Sequence, residues 1–330
     1  MTRSLIVLPD DSAKPILAAI EGASRTLRVK MFVFSDPGLL KAVIAAQRRG
    51  VKVRVMLNHA RRSGEHENDA TRKALELANV EVRDANPVFA LTHEKSMVVD
   101  EQTAFVKSLN WTTKNLTETR DYAIVTTRSH DVTEMIECFE ADWHRQAFVP
   151  RHGSHLVWCP GPGRDRICRF IDAARHRLFI QNERFQDMVI IERLIRAKNR
   201  GVRVDVMARP PHTLKREKLV EGVGGLRIMD DVGIKVHKLR HLKLHGKMLL
   251  ADGVAAIVGS INFAAGSLDE RRELALETRD DTVVDRLHDV AKHDWDHSHA
   301  LDLSDEGLLA DLEDRIADSA QMLALDDRDS

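Results

Sequence analysis

Two periods alternate along the chain. Short apolar runs that suit buried strands are separated by stretches in which apolar residues recur every three or four positions, as on one face of a helix. LIVL (5–8) is the first strand. A turn at Pro9–Ser12 follows, then a helix carrying Ile16, Leu17, Ile20 and Ala23, with Pro15 in its first turn. TLRVKMFVF (26–34) is β-branched and apolar, hence a buried strand. Asp36-Pro37 opens a second helix through Leu39, Leu40, Val43 and Ile44, which closes at Gly50 as its C′ residue. VKVRVML (51–57) is the next strand, 58–69 a polar loop, 70–78 a helix and 80–82 a short strand. Val98-Val99 and Ala104–Val106 predict a hairpin about Asp100 and Glu101. A strand at Tyr122–Thr126 and a helix through Met135, Phe139 and Trp143 complete the series. Strand and helix in alternation with short links predict an α/β protein whose sheet is mixed but mostly parallel.

The pattern is then written a second time. RAKNRGVRVDVMA matches AAQRRGVKVRVML, with Gly201 aligned to Gly50 at an offset of 151 positions. ADWHRQ and HDWDHS close the two copies, Trp143 and Trp295 being 152 apart. The expected organisation is a first half over 1–150, a second half over 151–300, and an acidic tail over 301–330. In that tail Leu309, Leu312, Ile316 and Leu323 form the apolar stripe of an amphipathic helix.

The composition, 43% hydrophobic and 31% charged, is that of a globular protein, and 330 residues exceed one ordinary core. No run approaches the roughly 18 to 20 apolar residues that span a bilayer, and MTRSLIVLPDDS has neither a signal h-region nor a small-residue cleavage site. The expectation is a cytoplasmic protein, at most peripheral to a membrane. Cys138, Cys159 and Cys168 have no metal-binding spacing and read as buried thiols. The net charge of −1 hides an asymmetry. Ten Asp/Glu against Arg315 and Arg328 make the last 30 residues −8, so the rest of the chain carries +7. A basic body suits an anionic substrate.

The candidate chemistry lies in two polar segments. THEKSMVVD places His93, Lys95 and Asp100 in an H-x-K-x4-D spacing, and KSLNW adds Ser108 and Asn110. LHGKMLLAD repeats it with His245, Lys247 and Asp252, and GSINF adds Ser260 and Asn262. His93 to His245 and Asn110 to Asn262 are both 152 positions. A lone strand histidine is ordinarily a surface or satisfied core residue, but that does not explain a duplicated set. One imidazole can attack phosphorus while a second protonates the leaving oxygen. Two lysines supply charge for the phosphoryl oxygens, and Ser and Asn can complete the pocket. Two lysines beside the histidines, with no carboxylate cluster, suit a metal poorly, so no metal or other cofactor is expected.

On these motifs the chain resembles the phospholipase D superfamily, marked by two H-x-K-x4-D motifs each trailed by a G-S-x-N-like segment. The resemblance covers about residues 5–300. It implies two pseudo-twofold-related α/β halves packed into one bilobal unit, with one site at their interface and metal-independent catalysis. It makes His93 the nucleophile and His245 the general acid and then base, in an order the sequence leaves exchangeable. Asp100 and Asp252 belong to the motif as supporting residues rather than proton carriers. Family members often orient the histidines with a further carboxylate, for which Glu273 and Asp121 are the candidates. Lys107 stands where the pattern has glycine, as the second copy does at Gly259.

The implied substrate is a phospholipid, reached at an anionic membrane surface, with water or an alcohol as acceptor. A nucleic acid cleaved by the same two histidines is the alternative, and no obligate protein partner is evident. A non-catalytic phosphate-binding module is disfavoured by the intact motifs. KVHKLRHLKLHGK, with Lys235, His237, His241, Lys243 and His245 on one strand face, offers either a phosphate-binding strip or a solvated edge. Phe34, Phe89, Trp111, Trp158, Phe185 and Phe263 line an acyl-chain approach or, more commonly for aromatics, belong to the core.

Overall fold

The computed structural model describes residues 3–59, 66–210 and 219–309. The first half runs β1 (Arg3–Leu8), α1 (Lys14–Glu21), β2 (Thr26–Met31), α2 (Pro37–Arg48), β3 (Lys52–Leu57), α3 (Asp69–Leu77) and β4 (Glu81–Asp84). It continues with β5 (Leu91–Thr92), β6 (Ser96–Val99), β7 (Thr103–Lys107), α4 (Thr113–Thr117), β8 (Thr119–Thr126) and α5 (Ser129–Trp143). The second half has β9 (Leu156–Cys159), α6 (Gly163–Ala173), β10 (Arg177–Asn182), α7 (Met188–Asn199), β11 (Arg203–Ala208) and α8 (Leu219–Asp231). Then come β12 (Lys235–Leu239), β13 (Lys243–Leu244), β14 (Lys247–Ala251), β15 (Ala255–Gly259), α9 (Ala265–Asp269), β16 (Arg271–Thr278), α10 (Asp281–Asp296) and β17 (Ser298–Ala300).

Local signals behave as expected. Asp36 caps α2 by accepting from the Leu39 amide at 2.9 Å, and Pro37 occupies the first turn. Gly50 and Gly201 both take φ +92°, a backbone that only glycine enters without strain. The hairpin between β6 and β7 turns on Asp100 and Glu101 at φ 52° and 60°, the paired positive values of a type I′ turn.

The sheets depart from the mostly parallel expectation. The first is ordered β1-β8-β7-β6-β2-β3-β4, with β13 added in parallel to β8; along the ordered path only β2-β3-β4 are parallel. Parallel pairing requires a crossover, which α2 and α3 provide. The tight β6–β7 hairpin and the return of β8 between β7 and β1 make the remaining pairs antiparallel. The second sheet, β17-β12-β11-β10-β14-β15-β16-β5, repeats the scheme.

The three large apolar clusters are two outer cores and one between the sheets, beside a small one of Met56, Phe139 and Trp143. Val29, Val55, Leu39 and Val43 join the helices of the first half to its sheet, and Ile180, Val206, Ile190 and Leu194 do so in the second. Tyr122, Ile124 and Val98 meet Trp158, Phe179, Met248 and Val258 in the third core, which belongs to both halves. Burying one large apolar side chain there stabilises by about 1.5–3 kcal/mol, so the halves are held as one unit. Of the proposed acyl-chain aromatics, Phe34, Trp111, Trp158, Phe185 and Phe263 are core residues, and Phe89 lies under the Arg272 guanidinium.

The basic run is not one strand. β12 lies between β11 and β17, and after residues 240–242 β13 pairs with β8 of the other sheet. Leu301 and Leu303 are buried in the second outer core, and Leu309 is 60% exposed. The remainder of the predicted tail helix, with Leu312, Ile316 and Leu323, lies outside the described residues, as does 60–65 of the predicted polar loop. Among the described residues no helix is long and apolar enough to cross a membrane.

Candidate active site

Each H-x-K segment crosses to the opposite half before its lysine. Leu91 and Thr92 of β5 pair in parallel with Arg271 and Arg272 of β16, and the His93 amide donates to the Arg272 carbonyl at 2.9 Å. Lys243 and Leu244 of β13 pair likewise with Thr119 and Arg120 of β8, and the Gly246 amide donates to the Arg120 carbonyl at 2.7 Å. This exchange sets each histidine beside the other half's carboxylate. His93 Nδ1 lies 3.0 Å from Glu273, and His245 Nδ1 lies 2.8 Å from Asp121 Oδ1. The two carboxylates are fully buried and the histidine side chains 9% and 14% exposed, so the ring faces remain reachable.

Close backbone approach requires glycine at two places, beside the exchanged β13 and at the end of β15. A Cβ on Gly246 would stand 2.7 Å from the Tyr122 ring, and one on Gly259 would stand 2.3 Å from the Ala275 backbone.

The lysines fold back on their own motifs. Lys95 Nζ donates to the His93 carbonyl at 2.6 Å, and Lys247 Nζ donates to the His245 carbonyl. Ser108 Oγ donates to Asp121 and Ser260 Oγ to Glu273, each at 2.5 Å. Those hydroxyls brace the carboxylates, so the expected place of Ser108 and Ser260 in the substrate pocket is corrected to a place behind the histidines, beside Asp121 and Glu273, which hold the imidazole rings. Asn110 and Asn262 differ: their side-chain Oδ1 atoms are buried and make no hydrogen bond.

Asp100 and Asp252 do not reach the site. Each follows its lysine by five strand residues, roughly 16 Å away. The Asp100 carboxylate accepts from the Ser24, Arg25 and Thr26 amides at 2.9, 2.7 and 2.9 Å. Asp252 accepts from those of Arg175, His176 and Arg177 at 2.9, 2.7 and 2.8 Å. The expectation that they support the catalytic groups within the site is therefore corrected: they clamp the loops entering β2 and β10. These bonds outweigh desolvation and hold Asp100 at about 2.

Electrostatics separates the two pairs. Burial, then the ammonium groups of Lys95 and Lys247, hold His93 well below 6.5. Burial also lowers His245, but Asp121 opposes it. Burial pushes Glu273 up to about 7 against the pull of Lys95 and Ser260. It acts the same way on Asp121, where His245, Lys247 and Ser108 outweigh it and leave the pKa below its ordinary value.

Lys107 is buried, its Nζ makes no hydrogen bond and sits 4.3 Å from the Trp111 ring centroid, and burial lowers its pKa well below 10.5. One grouping among the described residues has metal-ligand spacing, Glu94, Cys138 and Asp142. Lys30 Nζ lies within it, 3.0 Å from Glu94, 3.3 Å from Cys138 and 2.6 Å from Asp142. The motifs do not mark Glu183, which stands 3.5 Å from Lys247 and accepts from Arg209 at 2.8 Å. Its only signal in the sequence is a break in the repeat, where the first copy has Phe32.

Paired α/β halves that exchange strands to bring two His-carboxylate pairs and two lysines together define a phospholipase D-type site. The chain belongs to the family described as "Cardiolipin synthase, PLD-like domain", which matches residues 16–143 and 167–295. It is 31% identical over 151 residues to the mitochondrial cardiolipin hydrolase of Homo sapiens, across 44% of this chain and 58% of that protein. It is 25% identical over 325 residues to cardiolipin synthase B of Salmonella typhi, across 83% and 75%. The crystal structure of phosphatidylserine synthase from Haemophilus influenzae Rd KW20 shares the fold, with TM-score 0.74 and 11% identity over 98% of this chain and 94% of that one.

Proposed function

We propose that the protein is a phosphatidyl-transferring phosphodiesterase that works through a phosphohistidine on His93. The observation that carries the reading is that the two histidines are held by different acids, His93 by Glu273 and His245 by Asp121. A nucleophile must be neutral, and His93 is the imidazole held well below 6.5. With Nδ1 engaged by Glu273, Nε2 is the nitrogen left for phosphorus. A general acid needs a partner that stays anionic, and Asp121, lowered, serves His245 in that way.

The steps balance simply. The Nε2 lone pair of His93 attacks phosphorus, the P–O bond to the leaving alcohol breaks, and that oxygen takes a proton from His245. Water or a second alcohol then gives its proton to His245 and attacks phosphorus, and the P–N bond breaks. Lys95, Lys247, Asn110 and Asn262 hold the phosphoryl oxygens. The names of the relatives, hydrolase and synthase of cardiolipin, favour a phospholipid donor. A nucleic acid would meet the same chemistry and is an outcome of the test.

Purified protein is incubated in EDTA with phosphatidylglycerol or single-stranded DNA. Headgroup release or transfer is expected, without nucleotide fragments. His93→Ala and His245→Ala should each fall by at least about 10²-fold. His245→Ala, given a donor with a nitrophenolate leaving group, should accumulate an adduct on His93 detectable by intact mass. An adduct on His245 in the wild type reverses the order, and full activity in either variant removes the two-histidine mechanism.

A further inference from the structure

Residues 32 and 183 occupy one place in the two copies, each the first residue beyond the central strand of its half, β2 or β10. Two positions on, Phe34 and Phe185 make equivalent bridges to Trp111 and Phe263, which fixes the correspondence. What stands there differs. Phe32 packs edge-on against His93, ring centroids 4.8 Å apart at 65°, and lies 5.1 Å from Lys95 Nζ. Glu183 faces Lys247 at 3.5 Å and accepts from Arg209 at 2.8 Å, where the first copy has Asn58 in place of Arg209.

The transfer chemistry has no use for this carboxylate, because a phosphodiester brought against it is repelled. Glu183 is, however, already balanced by two cations, and its side chain is 10% exposed. What it offers a ligand is acceptor lone pairs rather than free charge. Arg209, 28% exposed, adds donors beside them. The surroundings are cationic, since Lys114 is close enough to Lys243 and Arg209 for their charges to add to the lowering of its pKa begun by burial. An ammonium headgroup would meet repulsion here, whereas a hydroxylated neutral or anionic alcohol would find both acceptors and donors. The other side, walled by Phe32, suits the apolar arm of the diester.

We propose that Glu183 and Arg209 form the subsite for the exchanged alcohol, reading its hydroxyl groups on the His245 side of the site. The proposal rests on the transfer reading above and adds which alcohols are taken and on which side they lie.

The test uses the full chain, bis(p-nitrophenyl) phosphate as donor, and glycerol, ethanol and choline competing as acceptors in water. The wild type should form the glycerol adduct in preference to the ethanol adduct, with choline least. Glu183→Phe, which removes every acceptor, should lower the glycerol-to-ethanol ratio by about tenfold, whatever rate it loses for all acceptors in common. A carboxylate that only holds Lys247 would slow all acceptors together; an unchanged ratio therefore overturns the proposal, as does a wild type indifferent to glycerol. Turnover of this donor with glycerol preference but no cleavage of phospholipid would leave the subsite standing and remove the lipid reading. No turnover of the donor would remove both.

Discussion

Lys107 Nζ is buried over the Trp111 ring without a hydrogen-bond partner. A buried amine with no hydrogen bond costs about 1–3 kcal/mol on protein scales, and Met fills nearly the same volume without a polar atom. Lys107→Met is therefore expected to raise stability by that order, read as a higher urea midpoint. The pH dependence has a definite sign. The unfolded lysine binds its proton more readily than the folded one, so wild-type stability climbs as pH rises toward 10.5. The Met variant should lack that slope. Asp121 and Glu273 also act at this scale, through the imidazole each holds rather than on substrate. Asp121→Asn should slow diesters with poor leaving groups far more than nitrophenyl diesters, which need no proton. A uniform loss on both donors would show that Asp121 does not serve the acid.

At the scale of elements, Asp100 and Asp252 show how a motif residue can lie outside the chemistry. Each closes a hairpin and ties the loop before a central parallel strand. Replacing a side chain that satisfies such amides costs about 0.5–2 kcal/mol. Asp100→Ala and Asp252→Ala should lose stability of that order and keep kcat, measured by urea unfolding beside turnover. Because the Asp100 pKa is depressed, its contribution is present above the ordinary 3.8 and disappears as pH falls toward about 2. The strands themselves were largely legible, since β2, β3, β10 and β11 are apolar runs between turn signals. β5 and β13 were not, because two residues carry no period and their pairing lies in the other half.

Across the whole molecule the halves are stapled by two buried ion pairs related by the repeat. Arg272 binds Asp142 at 3.0 Å, and Arg120 binds Asp294 at 2.9 Å. All four residues sit at offsets of 152 from their counterparts. The copies differ in what joins them: Lys30 reaches Asp142 at 2.6 Å, while Gln181 reaches Asp294 at 2.7 Å. Removing Asp142 takes from the buried Arg272 its carboxylate partner and leaves Lys30 with Glu94 alone. Asp142→Ala should destabilise by about 3–5 kcal/mol and lower activity through loss of the interface that brings Glu273 to His93, both visible in parallel urea and activity curves. An unchanged midpoint would mean that the third core alone holds the halves.

The sequence by itself determined the duplication, the α/β class, and the six residues His93, Lys95, Asn110, His245, Lys247 and Asn262, because a polar pattern repeated at one offset survives any uncertainty about folding. It determined much of the strand–helix order, because burial period is a local property, but not the two-residue strands β5 and β13. Which carboxylate serves which histidine was decided only in three dimensions. Asp121 follows His93 in the chain, yet β13 delivers it His245, and β5 carries His93 to Glu273. The aspartates of the motifs were likewise read correctly as a pattern and placed only by the hairpins that carry them away from the lysines. Pairing across a strand exchange is a contact between residues 124 and 180 positions apart, and no periodicity along a chain encodes it.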